Sequence, residues 1–323
     1  MTTDTTDPSY WLNWRFFLCA LWLLAAMVAS AIIAWKFEGS RKSKDKRRGN
    51  LQDTVGAVYK DEAWRTSLKV FRPAWLLAYR VIAFGVLLGM LIANVVLDGG
   101  GIFYFYTQWT FTLVTIYFGL ASLFSIYGCC QCWNDVSGNR DDLVALHTEQ
   151  GDYVDPMMLN TSKSMNSHEE EPSVHRTAGR WGYALQIIYQ MCAGAVMLTD
   201  MVFWFIIYPF LTSDTYRLKF MDVTMHSLNA VFLLGDVILN SLRFPFFRIA
   251  YFILWTAVFV IFQWILHACV SMWWPYSFLD LSSPYAPLWY LAVGILHLPC
   301  YCIFVLIIRM KHFCLSRLFP GTS

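Results

Sequence analysis

The sequence predicts an all-α polytopic membrane protein, a helix bundle with seven transmembrane helices, on three observations. Of 323 residues, 57% are hydrophobic and only 14% charged, against roughly 45–50% and about 25% in a soluble domain. Seven separate stretches reach the length of about 20 apolar residues that a spanning helix needs. The basic residues then fall on alternate connections, with 20 of the 24 lysines and arginines in segments that seven crossings put on one side. Soluble enzyme, nucleic-acid binder and disordered chain are excluded together. No run of alternating ten-residue segments suggests a membrane barrel.

Residues 1–15 read as a lumenal or extracellular tail and 16–35 as the first span. Ala29-Ser30-Ala31 resembles a cleavage site, yet Asp4 and Asp7 precede the span and Arg15 is the only base before it. That is the wrong start for a signal peptide, so the helix is expected to be retained. Residues 36–73 form a basic cytosolic loop with eleven lysines and arginines, which sets topology and is able to lie against anionic headgroups. Spans two and three occupy 74–128, as Ala74–Leu97 and Ile102–Gly128. The segment 129–180, rich in Ser, Asn, Asp and Glu with Glu169-Glu170-Glu171 near its end, reads as a disordered cytosolic connection with too few apolar residues to fold alone. Residues 181–308 supply Trp181–Thr212, Val223–Leu242, Ile249–Trp274 and Ala286–Ile308, and 309–323 a cytosolic tail. The positive-inside rule makes the N-terminus lumenal or extracellular and the C-terminus cytosolic. Endoplasmic reticulum and plasma membrane both fit.

Ionisable residues inside spans are costly and mark function by default. Here they are Arg80, Asp200, His226, Asp236, His267 and His297. Arg80, Asp200, Asp236 and Asn240 are candidates for one polar network, with Arg80 and Asp236 both towards the cytosolic side and Asp200 deeper. Towards the opposite surface, Thr110, His226 and His267 all lie within roughly 5–12 Å of one membrane face at 1.5 Å per residue. A hydroxyl and two imidazoles thus share a layer. Asp222 stands four residues before His226, on the same helical face. It is either an orienting carboxylate for the imidazole or a helix-start residue favoured by the macrodipole. His226 alone also fits an interfacial polar residue. His267, among Trp264, Trp273 and Trp274, fits an aromatic belt, and His297 beside Pro299 fits a structural role.

Nine cysteines are scattered. Cys129, Cys130 and Cys132, where the third span meets the cytosol, are palmitoylation candidates or free thiols. Their spacing does not suit zinc, and no metal site is expected. No P-loop, GxSxG or GxGxxG element is present, so no cofactor is implied.

Three segments carry a family resemblance. Gln108-Trp109-Thr110-Phe111-Thr112-Leu113 resembles the threonine motif of the androgen-induced family of membrane hydrolases. Met225-His226-Ser227, with Asp236 and Asn240 beyond it, resembles that family's histidine helix. Trp264-Ile265-Leu266-His267 with Met272-Trp273-Trp274-Pro275-Tyr276 is similar to its tryptophan- and proline-rich segment. The resemblance covers about 74–308 and is nearer to the Rolling-stone-like branch, which includes plant multi-pass proteins with an added N-terminal helix. It implies a six-helix hydrolase-like core plus one helix. It further implies Thr110 as nucleophile, His226 as general base, and fatty acid esters of hydroxy fatty acids as substrates. Ser227-Leu228 stands where the family commonly has two threonines.

Three functions therefore stay open. One is an intramembrane lipid-ester hydrolase, with membrane lipids as surroundings and a lipid ester as substrate; Asp222, His267, Asn229 and Gln108 would support its catalytic pair. Another is a noncatalytic scaffold or cell-fusion and adhesion protein. The third is a transporter using Asp200, Asp236 and Arg80. No nucleic-acid partner is expected, and protein partners are not specified.

Overall fold

The computed structural model describes residues 4–39, 59, 61–68, 72–149, 178–212 and 217–319, of which 135–149 by backbone alone. Most of the basic loop and the acidic stretch around Glu169–Glu171 lie outside the described residues.

Helix α1 (Pro8–Trp11) starts where the Asp7 carboxylate accepts the Ser9 N–H over 2.8 Å, with Pro8 preset for a first helical turn. Helix α2 (Trp14–Ala34) is capped by Asn13, whose side-chain oxygen accepts the Phe16 N–H, and it runs on as a π-helical turn, Trp35–Gly39. Helix α3 (Pro73–Asp98) begins on a proline and stops at Gly99, whose φ of 76° suits glycine. Then come α4 (Tyr106–Glu149), α5 (Arg180–Val202) continued as a π-helix over Phe203–Leu211, α6 (Phe220–Met225), α7 (Leu228–Leu239), α8 (Ile249–Cys269) and α9 (Ala286–Leu318). Among the described residues no strand forms; Thr66 and Asn240 make an isolated bridge. Among the described residues, seven helical stretches are long and apolar enough to cross a membrane. The chain is an integral, multi-pass, all-α membrane protein.

Three boundaries differ from the sequence expectation. Helix α4 runs 21 residues past Gly128 into the segment read as disordered. Once started, a helix gains one hydrogen bond per added residue, and no proline interrupts Tyr106–Glu149. Helix α9 likewise carries on to Leu318, taking Arg309, Lys311 and Arg317 with it. The fifth span is not one helix: it breaks at His226–Ser227, between α6 and α7.

Helix α5 is central, packing against α4, α7, α8 and α9, while α2 lies against α8 and α9. Burial is inverted relative to a soluble protein. Large apolar side chains such as Phe17, Ile82, Leu123, Ile265 and Leu306 are exposed on the outside, where lipid tails would lie, and polar residues such as Arg80, Gln190, Asp236 and Gln263 are buried between helices.

At one end of the bundle Arg80 is the tie. Its Nε donates to Asp236 Oδ1 (2.7 Å), and its Nη1 to the Ala63 carbonyl (2.7 Å) and Ser125 Oγ (2.8 Å). Asp236 Oδ2 also accepts from Tyr117 OH (2.5 Å) and Asn240 Nδ2 (2.7 Å). The segment 61–68 is held in place by Arg80, by the Thr66–Asn240 bridge and by the Arg243–Glu62 pair (2.8 Å). Arg248 bonds Glu38 Oε1 and Gln186 Oε1, each at 2.6 Å, joining the end of α2 to α5. At the other end Tyr10 OH donates to Asp280 Oδ1 (2.7 Å) and accepts from Trp274 Nε1 (3.0 Å). Tyr10 thereby fastens α1 across the connection between α8 and α9.

Candidate functional site

The site forms where two helices depart from α geometry side by side. In α5 the ladder widens into the π-helix immediately after Asp200-Met201-Val202, and Pro209 inside that stretch donates no N–H. π-Helical turns recur at functional sites. Facing it, the fifth span unwinds at His226, whose backbone φ of −107° and ψ of 14° end α6; the next helix starts two residues later. Neither glycine nor proline stands at the break. The two irregular stretches hold each other. The Phe203 ring stacks on the His226 imidazole at 3.7 Å and 2°, and Trp204 Nε1 donates to the His226 carbonyl (2.9 Å), one of the groups the break frees.

Beside this clasp lies a cavity of about 290 Å³, lined mainly by apolar side chains of α5, α8 and α9, with Tyr106, Thr107, Thr199, His226, Thr256 and Tyr276 among its polar groups. Apolar walls with a few convergent polar groups are the usual form of a small-molecule site. Tyr106 OH hydrogen-bonds Thr256 Oγ1 (2.8 Å), and Tyr276 OH accepts the Tyr106 N–H (3.0 Å). Burial pushes the Tyr276 phenol up from its ordinary value, so it stays neutral.

Thr110 is fully buried and does not line the cavity. Its hydroxyl meets Thr199 Oγ1 at 3.1 Å. Thr199 donates its single proton to the Ala195 carbonyl (2.8 Å), so Thr110 is the donor of the pair. No hydrogen bond joins Thr110 to His226 among the described residues. What connects them is Thr199, which touches the first and shares the cavity wall with the second.

His226 Nδ1 lies 4.0 Å from Asp200 Oδ1, and the two side chains are 12% and 15% exposed. Among the described residues, neither Asp200 oxygen, nor His226 Nδ1, nor the Nδ2 of buried Asn229 has a hydrogen-bond partner. Asn229 Nδ2 borders the carboxylate without reaching bonding geometry. Four buried polar atoms left unsatisfied in one place call for an explanation.

Asp200 therefore does not join the network expected around Arg80. Arg80 is met instead by Asp236, whose partners include Asn240, while Asp200 belongs with His226. Asp222 caps α6, its carboxylate accepting the Lys219 N–H (3.0 Å). Its place four residues before His226 is used by the backbone, since the His226 N–H donates to the Asp222 carbonyl (3.1 Å). His267 is away from the cavity. Its Nδ1 faces the Gln263 carbonyl (2.8 Å) and its Nε2 the Trp273 carbonyl (3.4 Å), and its ring stacks on Trp274 at 3.7 Å. These contacts fix the end of α8 rather than support a catalytic pair. Gln108 is buried with Oε1 unpartnered and does not line the cavity; Asn229 Oδ1 accepts the Ala230 N–H (2.8 Å). His297 Nδ1 bonds the Val293 carbonyl (2.8 Å) one turn back. Cys129 and Cys132 are half-buried and Cys130 exposed on α4, all without disulfides. No cluster of three metal-ligating side chains occurs among the described residues.

The sequence reading missed Thr199, Phe203 and Trp204. A hydroxyl beside an intramembrane aspartate, Thr199-Asp200, was the one signal for the first; the aromatic pair looked like any other apolar stretch. No family model, curated protein or solved structure matches the chain.

Proposed function

We propose that the chain is an intramembrane hydrolase of lipid esters, with Thr110 as nucleophile and His226 as general base. The observation that carries the reading is an imidazole in the wall of an apolar cavity, one hydroxyl (Thr199) away from Thr110, at the meeting of a π-helix and a broken helix. The resemblance to the androgen-induced family of membrane hydrolases supports the same pair. Fatty acid esters of hydroxy fatty acids suit a cavity with so few polar groups.

A threonine hydroxyl is a poor nucleophile until a positioned base removes its proton, and histidine has the affinity for that task near neutral pH. Thr110 Oγ1 must exchange Thr199 for the imidazole as its partner, and catalytic hydrogen bonds often tighten only with substrate bound. Attack on the ester carbonyl then transfers the acyl group to Thr110, and the proton taken by His226 passes to the departing alcohol oxygen. Water entering the cavity gives its proton to His226 and attacks the acyl-threonine. Fatty acid is released and the proton returns to Thr110. In this reading the site faces the lumenal or extracellular side, as the basic connections demand by the positive-inside rule.

The test is turnover by detergent-purified protein against a panel of lipid esters, beside Thr110→Ala and His226→Ala. Hydrolysis by the wild type and by neither variant is the expected outcome; equal hydrolysis by all three overturns it.

The interruption at His226 gives one specific observation to a second reading, proton or ion transport. Broken helices around an unpaired acid also build transporter sites. A proton flux in liposomes that Asp200→Asn abolishes, without ester turnover, favours that reading instead.

A further inference from the structure

We propose that Asp200 is the positioning residue of His226, holding the imidazole Nδ1–H so that Nε2 is left as the bare, basic nitrogen. The inference rests on His226 being the base of the reading above. No residue of the threonine or histidine motifs supplies this carboxylate.

Four observations combine. The approach is already 4.0 Å between Nδ1 and Oδ1, about 1 Å beyond a hydrogen bond. Among the described residues, Asp200 Oδ1, Asp200 Oδ2 and His226 Nδ1 are all buried without a hydrogen-bond partner. Phe203, three residues after Asp200, stacks flat on the imidazole. Ring plane and carboxylate are thus delivered by one stretch of chain, leaving the ring its in-plane nitrogens to satisfy. Asn229, one residue into α7, borders the carboxylate with an unused amide and is able to hold it by donating to the second oxygen. The alternative orienting group, Asp222, has its carboxylate on the Lys219 N–H at the start of α6.

Two consequences distinguish positioning from a merely structural contact. A neutral imidazole free of partners in water favours the proton on Nε2, whereas a carboxylate at Nδ1 reverses that choice, and the nitrogen opposite the held proton is the one that accepts from a nucleophile. Loss of Asp200 then lowers kcat and leaves KM in place, because an apolar cavity binds the substrate by its walls.

The experiment is nitrogen-15 spectroscopy of histidine-labelled full-length protein in lipid nanodiscs at pH 8. The His226 signals are assigned by their loss in His226→Gln. The expected result is an Nδ1–H, bare Nε2 tautomer in the wild type and a shift towards Nε2–H in Asp200→Ala. An Nε2–H tautomer in the wild type overturns the proposal, as does an unchanged Nδ1–H signal in Asp200→Ala. Where Asp200→Ala fails to fold, the isosteric Asp200→Asn takes its place, and the wild-type spectrum still decides. Wherever esters turn over, kcat in the Asp200 variant is expected to fall by roughly 10²- to 10⁴-fold. A wild type that hydrolyses nothing yet carries Nδ1–H against Asp200 removes the hydrolase reading and leaves the Asp200–His226 relation standing.

Discussion

Arg80 Nε and Asp236 Oδ1 meet at 2.7 Å with both side chains wholly excluded from solvent. Further guanidinium bonds go to the carbonyls of Ala63 and Ala121 and to Ser125, so one buried ion pair joins α3, α4, α7 and the segment 61–68. Burying two charges costs several kcal/mol, and removing one partner leaves the other uncompensated. Asp236→Ala is therefore expected to destabilise the protein by about 3–5 kcal/mol, while the double replacement Arg80→Met with Asp236→Leu recovers much of that loss. Thermal unfolding of the three proteins in one detergent checks both statements; a double variant no better than Asp236→Ala contradicts them.

The same end of the bundle carries a pH dependence. Burial pushes the Glu62 carboxyl up to about 7, against the opposing pull of Arg243. A carboxylate whose folded value exceeds its unfolded one binds more protons in the native state, so its contribution falls as pH rises from about 4.5 through 7. Glu62→Gln fixes the neutral form. Between pH 5 and 8 the wild type should lose thermal stability relative to Glu62→Gln, with the two nearly equal at pH 5. Parallel profiles would contradict this account.

Gly194 on α5 packs directly against α8: a Cβ there would run into the Phe252 ring. Because the bundle is close-packed, extra volume at that point forces the two helices apart, at about 1–3 kcal/mol. Gly194→Val should lower the unfolding temperature far more than Gly294→Val, where nothing lies within 4 Å of a Cβ.

Thr199→Val removes the hydrogen bond between the Thr110 and Thr199 hydroxyls while keeping the shape of the side chain. On the proposed mechanism this variant folds, keeps its ester selectivity and still turns over, because Thr110 gives up Thr199 before His226 takes its proton, in contrast to the complete loss expected of Thr110→Ala. Complete loss in Thr199→Val, with activity kept in Thr110→Ala, would transfer the nucleophile to Thr199.

Much of the fold was legible because membrane-length apolar runs are decided by composition alone. The Arg80–Asp236 pair was legible too, since both residues fall at similar depth when counted along regular helices. Asp200 was misplaced by the same counting. Twelve residues before Thr212, it counts to roughly 18 Å in at 1.5 Å per residue, yet its carboxylate stands 4.0 Å from His226, with the nine-residue π-helix between it and the end of its span. The break at His226 left no trace in the sequence, because Met225-His226-Ser227-Leu228 contains no glycine or proline. Tertiary contacts from Phe203 and Trp204 hold it, and those residues belong to another span. Thr110 was singled out by the resemblance of its segment, whereas its hydrogen-bond partner Thr199 depends on which faces of α4 and α5 meet, and spacing within one helix does not specify that.

On the proposed mechanism Thr110 carries the acyl group under the control of His226. Mass mapping of the purified protein after reaction with a lipid phosphonate, an electrophile that stops at the covalent stage, tests this. An added phosphonyl mass is expected on Thr110 in the wild type and is expected to disappear in His226→Ala. Modification at another residue, or undiminished labelling of Thr110 without His226, would contradict it.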